Sequence, residues 1–322
     1  MNIKMKKVNL ANKPTPIQFY NKVGSNNIYI KREDLTDLAL GGNKVRKLEY
    51  FLADAIEEES NCIVTYGSPQ SNHCRITAAA ANKHGLKTVL ILSESEKPNF
   101  NGNYFLYSLF DVEIVWSDTD KVSQKIEETL SNLRDKGYEP YFIQGGGHGN
   151  LGTHAYKLAY DEIIKQQEEK GINFDYIFHA SGTGTTQAGL IAGNILNNSF
   201  KKIVGISIAR NEKRGKEVIF ESLKDYFNEF YKSINPSENQ ILFNDKYIGK
   251  GYADIYPNIL NTIKKVAKNS GILLDPIYTG KAFYGMLDYI NINKIQEKNI
   301  LFIHTGGTPL LFSHANKFKE EY

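Results

Sequence analysis

Short β-branched runs return along the chain with a helix-length segment between one and the next. Strand patterns fall at 28–31, 63–66, 88–92, 113–116, 141–143, 176–179, 203–208 and 300–304. Helical patterns fall at 43–58, with Leu48, Phe51, Leu52 and Ile56 on one face, and at 72–83, which is alanine-rich. Others lie near 123–136, 187–196, 259–268 and 281–290. Strands spaced by helices predict βαβ units and parallel sheets, the α/β class. In such sheets ligands bind beyond the C-terminal ends of the strands, often at helix N-termini. A length of 322 residues fits two domains or one large one.

Composition narrows the function. The hydrophobic share of 41% supports a core that needs neither disulfides nor metal. The charge balance, 39 − 36 = +3, is weak and scattered, which argues against nucleic acid or an anionic membrane as partner. Two cysteines, Cys62 and Cys74, give no disulfide framework, so a reducing cytoplasm is expected. No apolar run approaches the roughly 20 residues of a membrane span. The stretch MNIKMKKVNLANKP is basic but has no apolar core, unlike a secretory signal. No zinc spacing, Walker loop or GxSxG elbow is present, and no metal is expected.

Glycine-rich and polar clusters follow several strands. Gly41-Gly42-Asn43-Lys44-Val45-Arg46-Lys47 sets two turn-permitting glycines before a helix and Lys44 in its first turn. Lys44 is either a solvated surface residue or, if desolvated, an amine able to form a Schiff base. Tyr66-Gly67-Ser68-Pro69-Gln70-Ser71-Asn72-His73 leaves a strand and opens a helix, so its free N–H groups suit a carboxylate or phosphate. Ser71 suits a helix cap, a carboxylate ligand, or both. Ser181-Gly182-Thr183-Gly184-Thr185-Thr186 is either a phosphate cradle or a plain tight turn. Gln187 occupies the slot of a third glycine, so GxGxxG does not fit. Asp275–Lys281 and His304–Thr308 are turns whose Tyr and Thr hydroxyls can face a ligand, Gly249–Tyr252 sets an aromatic hydroxyl in another loop, and Gly145–Asn150 is a glycine-rich loop.

In chain order KRED, GGNKVRKLEY, GSPQSNHCR, SGTGTTQAG, LLDPIYTGKAFYG and FIHTGGTPLLF resemble the motifs of the aminocyclopropane-carboxylate deaminase / D-cysteine desulfhydrase family. Those are pyridoxal-phosphate-dependent enzymes of the tryptophan-synthase-β-like fold, fold type II, with two α/β domains. The resemblance runs over about residues 12–314. It implies a large cofactor-binding domain from 1–51 plus 153–322 and a small α/β domain from 52–152. Lys44 matches the lysine that holds pyridoxal 5′-phosphate and serves as base at Cα. Asn72 matches the asparagine beside the cofactor's 3′-oxygen. Ser71, with the N–H groups of Asn72 and His73, matches the substrate-carboxylate site. Thr183, Gly184, Thr185 and Thr186 match the phosphate loop. Tyr252 and Tyr278 match tyrosines that flank the substrate, and Thr305 a residue near the pyridine nitrogen. A neutral hydroxyl there holds the ring less firmly protonated than an acid would, which favours prompt loss of a β-group.

Two sites depart from the pattern, and a third, Cys74, is neutral to it. Family members that open the cyclopropane ring carry a glutamate just after the second tyrosine; here that residue is Thr279, and YTGKA is similar to the desulfhydrase branch. His148-Gly149 stands where relatives more often have Ser-Asn. Cys74 fills a slot that varies in the family, where a small packing residue is expected. The expected reaction is α,β-elimination on a small amino acid, D-cysteine going to pyruvate, ammonia and hydrogen sulfide. The alternatives are a β-replacement synthase, a cysteate sulfo-lyase, an aminocyclopropane-carboxylate deaminase or, outside enzymes, a non-catalytic phosphate-ligand-binding protein. The family commonly forms dimers, so the resemblance also implies a homodimer.

Overall fold

The computed structural model describes residues 5–94 and 98–321; the first four residues of the basic N-terminal stretch lie outside them. The strands are β1 (Ile17–Val23), β2 (Asn26–Lys31), β3 (Cys62–Gly67), β4 (Lys87–Ser93), β5 (Val112–Ser117), β6 (Pro140–Ile143), β7 (Tyr176–Ser181), β8 (Lys202–Ser207), β9 (Leu242–Asn244) and β10 (Asn299–Ile303). The helices are α1 (Lys44–Glu57), α2 (Asn72–Lys83), α3 (Gly102–Tyr107), α4 (Val122–Asp135), α5 (Asn150–Lys170), α6 (Thr185–Leu196), α7 (Glu212–Phe230), α8 (Pro257–Ser270), α9 (Thr279–Ile292) and α10 (Pro309–Ser313).

The strands form two sheets, ordered β1-β2-β10-β7-β8-β9 and β5-β4-β3-β6. Apart from β1, which pairs antiparallel with β2, every described pairing is parallel. Parallel neighbours require crossovers, and the intervening helices supply them. Both faces of the larger sheet are covered, because side chains alternate along each strand. Ile177, Ile203 and Leu301 meet Tyr156, Ile191 and Leu223 on one face. Phe178, Val204 and Phe302 meet Ile263, Phe283 and Met286 on the other. In the smaller sheet Ile63 and Ile143 pack on Leu48, Leu52 and Ile76, while Val64, Val89 and Ile91 pack on Ile126, Leu130 and Leu133.

The structure departs from the sequence reading in places. Ile56 is 44% exposed, and Val45 and Ala55 fill the buried face of α1 alongside Leu48 and Leu52. The sequence reading did not mark α5 and α7 as helices. From Gly152 to Tyr160 α5 is buried almost all round, so it has no single apolar stripe to reveal it. The expected domain limits at 51/52 and 152/153 fall inside α1 and α5, so helices rather than loops link the layers of the two sheets.

The KRED segment anchors the start of α1. Arg46 donates from Nε to Glu33 Oε2 at 2.6 Å and from Nη1 to Glu162 Oε2 at 2.9 Å. Lys31 Nζ donates to Glu162 Oε1 at 2.5 Å and to Gln166 Oε1 at 2.6 Å, and Thr15 Oγ1 donates to Glu33 Oε1 at 2.6 Å. Two cations and two anions thus neutralise one another where β2, α1 and α5 meet.

Candidate active site

The segments after β2, β7, β8 and β10 gather at one end of the larger sheet. Those after β3 and β6 face them from the smaller one. Between them lies a cavity of about 400 Å³ lined by residues of all six segments. The turns after β2 and β10 touch backbone to backbone. Gly42 (φ +121°) and Gly306 (φ +94°) both adopt left-handed conformations, and a Cβ on Gly306 would lie 2.6 Å from Gly42 Cα. Asn43 N donates to Thr305 O at 3.0 Å, which fixes where α1 begins and sets Lys44 as its first residue.

Lys44 Nζ donates to Gly146 O at 3.1 Å, and Lys47 Nζ, one turn later, reaches the same oxygen at 3.2 Å. Burial pulls the Lys44 ammonium down to about 8, and burial together with the charge of Lys44 holds Lys47 well below its ordinary value. A sizeable share of Lys44 is therefore a neutral amine near physiological pH, as a Schiff-base nucleophile must be.

Ser71 Oγ caps α2 by accepting from Cys74 N at 3.2 Å. The N–H groups of Asn72 and His73 lie in the first helical turn, where no intrahelical carbonyl is available to them. The His73 side chain is buried; its Nε2–H donates to Thr65 Oγ1 at 2.9 Å, because that hydroxyl itself donates to Ile143 O. Burial, then the charges of Lys44 and Lys47, hold the imidazole well below its ordinary value, so it is neutral. Cys74 is fully buried and its thiol is pushed up to about 12, consistent with a packing residue.

Thr183, Gly184 and Thr186 line the cavity at the N-terminus of α6. Thr186 Oγ1 accepts from Asn43 Nδ2 at 3.2 Å, joining this loop to the Lys44 turn. The side chain of Thr185 does not line the cavity: its hydroxyl lies 2.8 Å from His148 Nδ1, the residue that departs from the family pattern. Gln187 replaces a third glycine for a packing reason. It fills the space left by Gly205, where a Cβ would sit 1.9 Å from Gln187 Oε1, and its Nε2 donates to Leu242 O.

Tyr252 and Tyr278 meet across the cavity with their hydroxyl oxygens 2.8 Å apart. Burial and then the neighbouring Tyr252 push Tyr278 well above its usual range, so both carry their protons near neutrality. Thr279 is turned away. Its N–H and Oγ1 both donate to Asp275 Oδ2, at 2.9 and 2.7 Å, and it does not line the cavity. Thr305 does line it.

The cavity thus collects Lys44, Ser71, Asn72, His73, Thr183, Gly184, Thr186, Tyr252, Tyr278 and Thr305. Sequence reasoning missed Arg210, which lines the cavity and donates to Gly182 O; a single arginine after β8 carries no motif. Among the described residues the wall holds the cations Lys44 and Arg210 and no aspartate or glutamate, so it favours anionic ligands.

A family model described as "Pyridoxal-phosphate dependent enzyme" matches residues 8–306. The chain is 38% identical over 322 residues to a Pyrococcus furiosus protein named "Putative 1-aminocyclopropane-1-carboxylate deaminase", covering 98% of this chain and 95% of that one. It superimposes on a crystal structure described as an ACC deaminase homologue with a TM-score of 0.89 at 35% identity, covering 98% of this chain and 95% of that one. A hydrogen sulfide-producing enzyme from Fusobacterium nucleatum shares the fold, with a TM-score of 0.67 at 18% identity over 92% of this chain and 94% of that one.

Proposed function

We propose, for a chain that belongs to the pyridoxal-phosphate-dependent enzyme family, that its reaction is the α,β-elimination of D-cysteine, which with one water gives pyruvate, ammonia and hydrogen sulfide. The cofactor is pyridoxal phosphate. The residues of the cavity suit an aromatic aldehyde phosphate: a desolvated amine at Lys44, the amide of Asn72, and a glycine-threonine turn at the N-terminus of α6. When bound, the cofactor supplies a sink for the electron pair left at the substrate Cα.

The chain's own residues do the rest. Thr183, Gly184, Thr186 and the backbone at Thr185 would hold the phosphate, and Thr305 would lie near the ring nitrogen. Ser71 and the N–H groups of Asn72 and His73 hold the substrate carboxylate. Lys44 would hold the cofactor between turnovers, and its free amine would take the Cα proton. Tyr278 gives a proton to the departing sulfur, and Tyr252, in hydrogen-bond contact with it, restores that proton.

The observation that carries this reading is the pair of protonated tyrosines in a wall without an acid. A thiol is a good leaving group and needs a weak acid at most. Opening of a cyclopropane ring is the second reading, favoured by the name of the Pyrococcus furiosus relative. Thr279 speaks against it, because its hydroxyl is spent on Asp275.

Holoenzyme supplied separately with D-cysteine, L-cysteine, D-serine and aminocyclopropane carboxylate tests the choice. We expect pyruvate and sulfide from D-cysteine, with Tyr278→Phe about 10²-fold slower or worse. Release of 2-oxobutyrate from aminocyclopropane carboxylate would reject elimination in favour of ring opening. A new thioether formed from D-cysteine and an added thiol would indicate β-replacement instead. A homodimer in the cytoplasm belongs to the same proposal. Light scattering should give twice the 36.4 kDa of one chain, and the mass of a single chain would reject the dimer.

A further inference from the structure

Arg75 lies one turn into α2, is fully buried, and makes no ion pair among the described residues. Its hydrogen-bond acceptors are all neutral. Nη1 donates to Asn72 Oδ1 at 2.8 Å and to Asn103 Oδ1 at 2.7 Å, and Nη2 donates to Gly41 O at 2.8 Å. Nε has no partner. Asp275, an acid whose charge reaches it, spends both carboxylate oxygens on residues 277–279. Burial pulls the guanidinium down to about 10, so it still carries its charge at neutral pH. A buried cation without a counter-ion is costly to fold around, and such groups concentrate at functional sites.

The contacts of Arg75 converge on one amide. Asn72 Oδ1 accepts from Arg75 and also from Asn103 Nδ2 at 2.9 Å, and Asn103 Nδ2 in turn donates to Gln70 O at 2.7 Å. Rotating the Asn72 amide by half a turn would set its NH₂ against two donors. Its oxygen is therefore fixed toward Arg75, and its Nδ2 is the free end of a residue that lines the cavity. The same guanidinium grips Gly41, three residues before Lys44, so one side chain ties the lysine turn to the asparagine. A cation on the amide oxygen polarises the amide and makes its N–H a stronger donor.

We infer that Arg75 is a positioning residue: it locks Asn72 with its N–H donors toward the cavity, and its unneutralised charge tunes them for an anionic oxygen on the ligand. This rests on reading Asn72 as the neighbour of the cofactor's 3′-oxygen.

The test is made on holoenzyme reconstituted with pyridoxal phosphate. Arg75→Met should shift the bound cofactor's absorbance from the long-wavelength form, with an anionic 3′-oxygen, toward the short-wavelength form in which that oxygen is protonated. It should also raise the apparent dissociation constant for pyridoxal phosphate about 10–100-fold. Asn72→Ala should do the same, and the double variant should be no worse than Asn72→Ala alone, because Arg75 acts through Asn72. Asn103→Asp keeps Arg75 but gives it a counter-charge and replaces the Nδ2 donor to Asn72 Oδ1 by an acceptor, so both changes loosen the hold on the Asn72 amide and should move the absorbance in the same direction. It carries the test if Arg75→Met does not fold. Wild-type absorbance and affinity in whichever of Arg75→Met and Asn103→Asp folds, beside a shifted Asn72→Ala, would overturn the role of Arg75 alone. An unshifted Asn72→Ala would overturn the placement of Asn72 beside the 3′-oxygen, and the inference with it.

Discussion

Lys44→Ala lowers turnover by at least about 10⁴-fold and abolishes the long-wavelength absorbance of lysine-bound pyridoxal phosphate in the same protein. Both losses are expected because one amine has two jobs: it attaches the cofactor and it accepts the Cα proton. The fold should survive, since Lys44 makes one hydrogen bond, to Gly146 O, and Lys47 keeps that oxygen satisfied. Lys47 does not substitute for it, as its side chain is not part of the cavity wall. The pH dependence of attachment follows from burial. With Lys44 pulled down to about 8, the rate at which the apo-protein takes up cofactor should rise with pH and level off just above that value. An ordinary surface lysine would keep rising toward about 10.4. Wild-type absorbance in Lys44→Ala would reject the assignment outright.

Arg46→Ala should destabilise the protein by about 3–5 kcal/mol, read as a fall in the urea midpoint at unchanged slope. The side chain is buried among Glu33, Glu162 and Thr15, and removing it leaves Lys31 to balance the charge of both carboxylates. A change below about 1 kcal/mol would mean that water or a rearranged lysine takes its place. The same cluster sets the acid limit of the fold. Burial alone would raise both carboxyls, but hydrogen bonds and charge from Arg46, with Lys31 behind, outweigh it. Glu162 is brought to about 2 and Glu33 is lowered too. A carboxyl depressed in the folded state contributes fully above its unfolded value, about 4.3. That contribution is lost as pH falls from there toward 2, because the unfolded chain takes up its proton first. The wild type should therefore lose stability steeply below about pH 4, and Arg46→Ala should show a flatter acid limb. Parallel curves would show that other carboxyls govern acid unfolding.

Much of the architecture was legible before any coordinates. The strands at 63–66, 88–92, 176–179 and 300–304 lie within β3, β4, β7 and β10 or reach one residue beyond, because parallel strands buried on both faces are written as continuous apolar runs. Ser71 and the Thr183–Thr186 loop could be singled out because each follows a strand and opens a helix, an arrangement that leaves N–H groups free whatever the rest of the chain does, whereas Lys44 stood out through its two preceding glycines and the family resemblance. What stayed hidden depends on partners far away in sequence. Arg75 reads as one more polar residue of an alanine-rich helix until Gly41 and Asn103 close around it, 34 and 28 residues off. The resemblance sets Thr279 where ring-opening members carry a glutamate, but only the Asp275 turn shows its hydroxyl facing inward. α5 escaped notice because contact on nearly every side erased its period. Local backbone preference and side-chain alternation were enough to place β2 to β8 and β10, the glycine turns and the lysine that begins α1, while β1 and β9 went unmarked. The tertiary structure alone decided which amide is polarised, which lysine is desolvated and which hydroxyls face the cavity. Those properties arise when segments some 30 to 140 residues apart exclude water from one another.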